Sequence, residues 1–254
     1  MEEMPVLHTK WCGKHWIHLD EVASTNDYLK QGDFADGTAV IADRQTAGKG
    51  RQGKSWSEAP VGQAMYLSVL FHSMKISDMG LLPLLCGLAT ARSLGAAARI
   101  KWPNDVLLGE KKVCGILTEM SMEQGYIQHI VIGVGINVRK QEFPEEIRDR
   151  AAAIDEQCGF RISRSQLIAD IMEAFEEDYE IFLRTHDLKG LRASYAELLV
   201  NQDREVCVLD PKGEYRGIAR GINDQGELLV ERQDGTVEEV YAGEVSVRGI
   251  YGYV

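Results

Sequence analysis

The feature that most narrows the fold of this chain is a change of texture near its end. Beyond Tyr195, the runs Glu205–Leu209, Tyr215–Ile222, Glu227–Glu231, Val237–Tyr241 and Glu244–Val247 read as short strands. Pro211-Lys212-Gly213, Asn223-Asp224-Gln225-Gly226 and Gln233-Asp234-Gly235 are the turns between them. Short strands packed this densely predict a small β-barrel attached to a larger α+β body. The boundary falls near Asn201, giving units of residues 1–200 and 201–254.

The body alternates strands and helices. His15–Leu19 and Thr38–Ala42 read as strands, separated by Ser24-Thr25-Asn26-Asp27, a run of helix-capping residues. Ala64–Phe71 is mostly apolar and predicts a buried strand; Leu81–Leu94 predicts a helix rich in Leu and Ala. Ile100–Leu108 is broken by Pro103 and the Asn104-Asp105 pair into strand, turn and strand, and Lys111–Glu119 returns beside it. Gln128–Val138 is a further strand. Its Gly133 and Gly135 weaken it unless something must approach the backbone there. Ser163 with Gln166 reads as a capping box, and Leu167, Ile168, Ile171, Met172, Phe175, Tyr179, Phe182 and Leu183 form a helical core stripe.

Composition excludes several classes. Across 254 residues the formal net charge is −11, which argues against general affinity for nucleic acid. The five cysteines are odd in number, scattered and without a C-x-x-C, as suits reduced thiols in the cytoplasm. The N-terminus has no signal-peptide pattern, and the longest apolar tract, Leu81 to Ala91, is too short to span a bilayer. His15 and His18 have no third ligand nearby in sequence, so no metal site is expected there.

Against this acidic background, Gly48-Lys49-Gly50-Arg51-Gln52-Gly53-Lys54-Ser55-Trp56 stands out. Its glycines permit close backbone approach, its amides can line an anion-binding concavity, and Lys49, Arg51 and Lys54 add positive charge. Trp56 offers a flat ring for a base or a small ligand. A solvated basic loop between two strands is the plainer alternative. The loop is neither a P-loop nor a G-x-G-x-x-G fingerprint, and no Ser-His-Asp or Cys-His arrangement is present. Chemistry by positioning and charge stabilisation fits best, with a nucleotide held by amides, Lys or Arg and magnesium.

Five motifs together resemble the biotin protein ligases: Ser24-Thr25-Asn26, the loop from Gln45 to Trp56, Lys101-Trp102-Pro103-Asn104-Asp105, Lys112 with Gly115-Ile116-Leu117, and Gly133-Val134-Gly135-Ile136-Asn137. Their order and spacing match, and so does the C-terminal barrel. The resemblance implies a mixed sheet with flanking helices (a class II synthetase-like, biotin–lipoate ligase fold) and an SH3-like C-terminal domain. It implies two half-reactions: biotin and ATP with Mg2+ give biotinyl-5′-AMP, and a lysine of a biotin carboxyl carrier domain then takes the biotinyl group. By the same resemblance, Lys112 and Arg51 are catalytic. Ser24, Thr25, Asn26, Gln45, Gly48, Lys49, Gly50 and Gly115 join them in binding biotin. Arg51, Lys54, Trp56, Lys101, Asn104 and Asn137 bind ATP, with Trp56 against the adenine. The family's loop commonly reads Gly-Arg-Gly-Arg-Arg-Gly-Arg, whereas here Lys49, Gln52 and Lys54 replace three arginines. Fewer than about twenty residues precede the first strand, too few for a helix-turn-helix domain, so the short, ligase-only type without DNA or membrane partners is expected. A homodimer is possible through an exposed sheet edge. Lipoate or octanoate ligases and transferases of the same fold, a non-catalytic biotin-binding module and a transcriptional repressor are the alternative readings.

Overall fold

The computed structural model describes residues 6–72, 75–124, 126–210, 213–242 and 246–249. The body is built on a seven-stranded mixed sheet. Its strands are β1 (Trp16–Leu19), β2 (Ala39–Ala42), β3 (Ala64–Phe71), β4 (Ala98–Lys101), β5 (Asp105–Leu108), β6 (Lys111–Glu123) and β7 (Tyr126–Asn137). They lie in the order β1-β2-β3-β7-β6-β5-β4, with β1 and β2 parallel and every other pair antiparallel.

Both faces of the sheet are covered, which is why β3 is apolar at nearly every position and buried at all eight. On one face α1 (Thr25–Gln31) packs Leu29 against Val40, Leu70 and Val131. On the other, α2 (Leu82–Leu94) and α4 (Arg164–Phe182) pack against Ile41, Val69, Ile116 and Ile132. Trp11, Phe71, Phe175 and Tyr179 close that layer, with ring centroids 5.3–6.5 Å apart. Two short helices were not read from sequence: α3 (Ile154–Cys158) and α5 (Arg192–Leu198). Each is only one or two turns long, too short for a periodic stripe to show.

Two local readings are corrected. The capping box at the start of α4 is half formed: Ser163 Oγ accepts from Gln166 N (3.3 Å), but the Gln166 amide donates to Asp170 instead of returning to the cap. Leu183 is exposed, because the helix has ended one residue earlier and the stripe no longer points inward.

The C-terminal unit contains β8 (Glu205–Leu209), β9 (Tyr215–Ile222), β10 (Leu228–Glu231), β11 (Val237–Val240) and β12 (Ser246–Gly249). They form an antiparallel sheet ordered β11-β10-β9-β8-β12, consistent with the expected SH3-like domain. β12 coincides with the expected Glu244–Val247 strand at Ser246 and Val247 and runs on to Gly249; Glu244 and Val245 lie outside the described residues. The buried Trp102 joins the two sheets: its backbone N–H donates to Asn201 Oδ1 (3.0 Å) and its indole N–H to the Gly226 carbonyl (3.0 Å).

Candidate active site

The floor of the site is one row of residues in register across the sheet. Tyr66 pairs with Gly135, Gly135 with Gly115, Gly115 with Asp105, and Asp105 with Lys101. One step further along, Ser68 pairs with Gly133 and Gly133 with Leu117. The two strand glycines of β7 now have their reason. A Cβ at Gly135 would lie 2.8 Å from the Trp56 ring, and one at Gly115 only 2.5 Å from it. A Cβ at Gly133 would collide with the Asn26 amide. The floor is bare so that Trp56 and Asn26 can lie directly upon it.

Lys112 reaches this floor through an irregularity. It lies three positions before Gly115, an odd spacing that in a regular strand sends the two to opposite faces. The register against β5 shifts between Val106 and Leu107, as Leu107 pairs with Lys112 but Val106 with Cys114. The extra residue turns Lys112 back onto the face of Gly115, whose Cβ would lie 3.0 Å from its Nζ. The backbone of Lys112 is held on its other edge by Arg150 O (2.8 Å) and Ala152 N (3.0 Å). Its ammonium lies 2.6 Å from Asp105 Oδ1 and 5.3 Å from the Trp56 ring centroid.

The glycine loop is a tight hairpin. Trp56 N donates to Gly48 O (2.9 Å) and Gly50 N to Lys54 O (2.7 Å). At its tip Gln52 (φ 55°, ψ 41°) and Gly53 (φ 71°) are left-handed, which the glycine adopts freely. From this tip Arg51 donates to Asn104 Oδ1 (3.1 Å) and to the carbonyl of Ala242 in the C-terminal unit. Burial lowers the Arg51 pKa, with Asp105 acting in the opposite direction.

Two contiguous cavities result. The smaller, about 60 Å³, is lined by Ser24, Thr25, Asn26, Gln45, Lys49, Gly50, Arg51, Lys112 and Gly115, among others. These are the residues expected at biotin, Gly48 excepted. Gly48 lines neither cavity; its bare Cα makes room for the Gln45 amide and the Trp56 side chain. The larger, about 1190 Å³, is lined by Arg51, Lys54, Trp56, Lys101, Asn104 and Asn137, the whole set expected at ATP. Gly50, Arg51, Trp56, Asn104 and Lys112 line both.

The polar head of the small cavity is pre-arranged. Gln45 Oε1 accepts from Thr25 N (2.9 Å) and Thr25 Oγ1 (3.1 Å); Ser68 Oγ lies 2.7 Å from Thr25 Oγ1 and 2.6 Å from Asn26 Oδ1. Ser24 caps α1 through Asp27 N (3.4 Å) while lining the cavity. The Trp56 ring lies on Gly115 and Gly135, at the boundary of the two cavities. Its buried indole N–H has no partner among the described residues.

Sequence reasoning missed Asp105 as the partner of Lys112, and Ser68 and Glu119 as supports of Asn26. Asp105 stood inside a recognised motif; the other two carry no local signal. His18 does meet further ligand types: Asp20 and Asp43 lie within 4.8 Å. Asp43, however, is held by His18 (2.9 Å) and Arg164 (3.0 Å), a staple between β1, β2 and α4.

Comparison with known proteins follows the same division. Residues 19–137 match the Biotin/lipoate A/B protein ligase family and residues 203–248 the Biotin protein ligase C terminal domain. The chain is 32% identical over 251 residues to the bifunctional ligase/repressor BirA of Bacillus spizizenii, covering 95% of this chain and 76% of that one. It is 32% identical over 249 residues to the biotin–[acetyl-CoA-carboxylase] ligase of Mycobacterium tuberculosis, covering 92% and 90%. The solved structure of the Aquifex aeolicus biotin protein ligase in complex with biotin and ATP superposes with a TM-score of 0.82 at 32% identity, covering 93% and 99%. With the fold, both matched domains and relatives of this identity and coverage agreeing, the chain belongs to the biotin protein ligase family.

Proposed function

We propose that the chain activates biotin with ATP, with the vitamin in the small cavity and the nucleotide in the large one. The observation that carries this reading is the set of residues common to both cavities, because Arg51 and Lys112 then stand where two anions must meet. A biotin carboxylate oxygen attacks the α-phosphorus of ATP, pyrophosphate leaves with the electron pair of the broken P–O bond, and biotinyl-5′-AMP remains. A lysine amine of a carrier domain then attacks the acyl carbon, forming an amide and releasing AMP. The cations offset repulsion between carboxylate and phosphate and stabilise charge on the oxygens around phosphorus.

Each residue has a role in this scheme. Ser24, Thr25, Asn26 and Gln45 hydrogen-bond the ureido ring, whose polar atoms must all be satisfied when buried. Lys49, Gly50 and Gly115 border the carboxylate end. Lys54 and Lys101 neutralise phosphate, and Asn104 and Asn137 position the nucleotide. ATP is used as its magnesium complex. Asn137, Asp105 and Glu146 line the large cavity, and their oxygens would be the donors for a hard cation that offsets phosphate charge.

The glycine hairpin borders the small cavity, with Lys49, Gly50, Arg51 and Trp56 in its lining. Lifting of this hairpin would widen the entry for the vitamin, and the unpartnered indole N–H is free to bond elsewhere when it does. Reclosure shields the anhydride from water.

The test supplies biotin, lipoate or octanoate with ATP and follows pyrophosphate. Release with biotin, and then a gain of about 226 Da on an apo carrier domain, is expected. Release with lipoate and none with biotin overturns the reading.

A further inference from the structure

The base of the glycine hairpin is held by a group outside the cavities. Lys49 Nζ lies 2.7 Å from both carboxylate oxygens of Asp27, in the first turn of α1. Asp27 is itself held by Lys30 (2.9 Å), and Lys30 also binds Glu119 (2.9 Å) on β6. Glu119 Oε2 accepts from the Asn26 amide (2.7 Å), and its other oxygen stands 4.0 Å from Lys49. Two cations and two anions therefore alternate in one cluster, joining the hairpin, α1 and β6.

We propose that Asp27 is a positioning residue that keeps the hairpin's base seated over the biotin end of the site and thereby slows escape of the adenylate. This rests on the function proposed above. Three observations support it. Lys49 sits at the stem of the hairpin, paired with Ser55, so anchoring it anchors the strand that carries Gly50 and Arg51 without restraining the tip. Asp27 is preset by Lys30, so little rotamer freedom is lost when Lys49 docks. Burial pushes the Asp27 carboxyl up, but the Lys49 and Lys30 ammoniums outweigh it, and its pKa falls below the ordinary value. The anchor is a half-exposed ion pair, strong enough to bias the hairpin and weak enough to release it in each turnover.

The test measures release of biotinyl-5′-AMP from the full chain, after adenylate formation has been verified by pyrophosphate production. Asp27→Asn should release the adenylate about two- to fivefold faster than the parent. Rising salt should speed release from the parent more than from Asp27→Asn. Asp27→Glu, which keeps the charge, should recover part of the parental rate, which a merely structural role does not predict. Parental release and an unchanged salt response in Asp27→Asn overturn the proposal. If the parent makes no adenylate from biotin and ATP, the proposed function fails first, and the two failures are distinguishable.

Discussion

Lys112 shows how one misplaced residue in a strand becomes a functional one. In a regular β6 its side chain would sit on the opposite face of the sheet from Gly115; the register shift opposite Val106 and Leu107 turns it to the site. Lys112→Ala should lower pyrophosphate release from biotin and ATP by about 10²- to 10³-fold, the range for deleting one group that stabilises developing negative charge. The variant should remain folded by circular dichroism with a slightly lowered melting temperature, since Asp105 loses its partner but Arg51 remains nearby. Full activity would remove Lys112 from the reaction. No rule of residue order announces this irregularity, because a bulge is decided by how two strands settle against each other. Gly133 and Gly135, by contrast, stood out in sequence as strand residues that needed a close neighbour, and Asn26 and Trp56 are those neighbours.

The elements themselves were largely readable. Apolar runs of strand length and capping residues mark β2, β3, β7, α1, α2 and α4 to within a few residues, because burial on both faces and helix capping each leave a local signature. Their arrangement was not. β3 pairs with β7 although α2, β4, β5 and β6 lie between them in sequence, and only that pairing brings Tyr66, Gly135 and Gly115 into one row. Packing between elements also sets a pH response. Asp178 of α4, buried and 2.6 Å from Arg92 of α2, has its pKa pushed up to about 6 by burial, against the pull of Arg92. Its folded value lies above the unfolded one, so its contribution to stability is fullest below about pH 4 and is lost as pH rises through 6, by up to about 3 kcal/mol. Asp178→Asn should flatten the dependence of melting temperature on pH between 4 and 7 and leave the variant at least as stable as the parent at neutral pH. A parental slope in that variant would show that another group sets it.

At the scale of the molecule, the two sheets act through each other. No described helix is long and apolar enough to cross a membrane, and the C-terminal unit is docked on the body through the buried Trp102. Trp102→Phe leaves the Gly226 carbonyl without its donor and should cost about 1–3 kcal/mol, with faster amide exchange in the turn between β9 and β10. Unchanged exchange there would mean that the docking depends on apolar contact alone. The second link is Arg51, whose guanidinium spans the hairpin tip, Asn104 and the Ala242 carbonyl. Because that last acceptor is main chain, evolution can exchange the side chain at 242 without releasing the grip. The tie between the barrel and the chemistry is thus written in the path of the backbone, where a comparison of letters alone would pass it by.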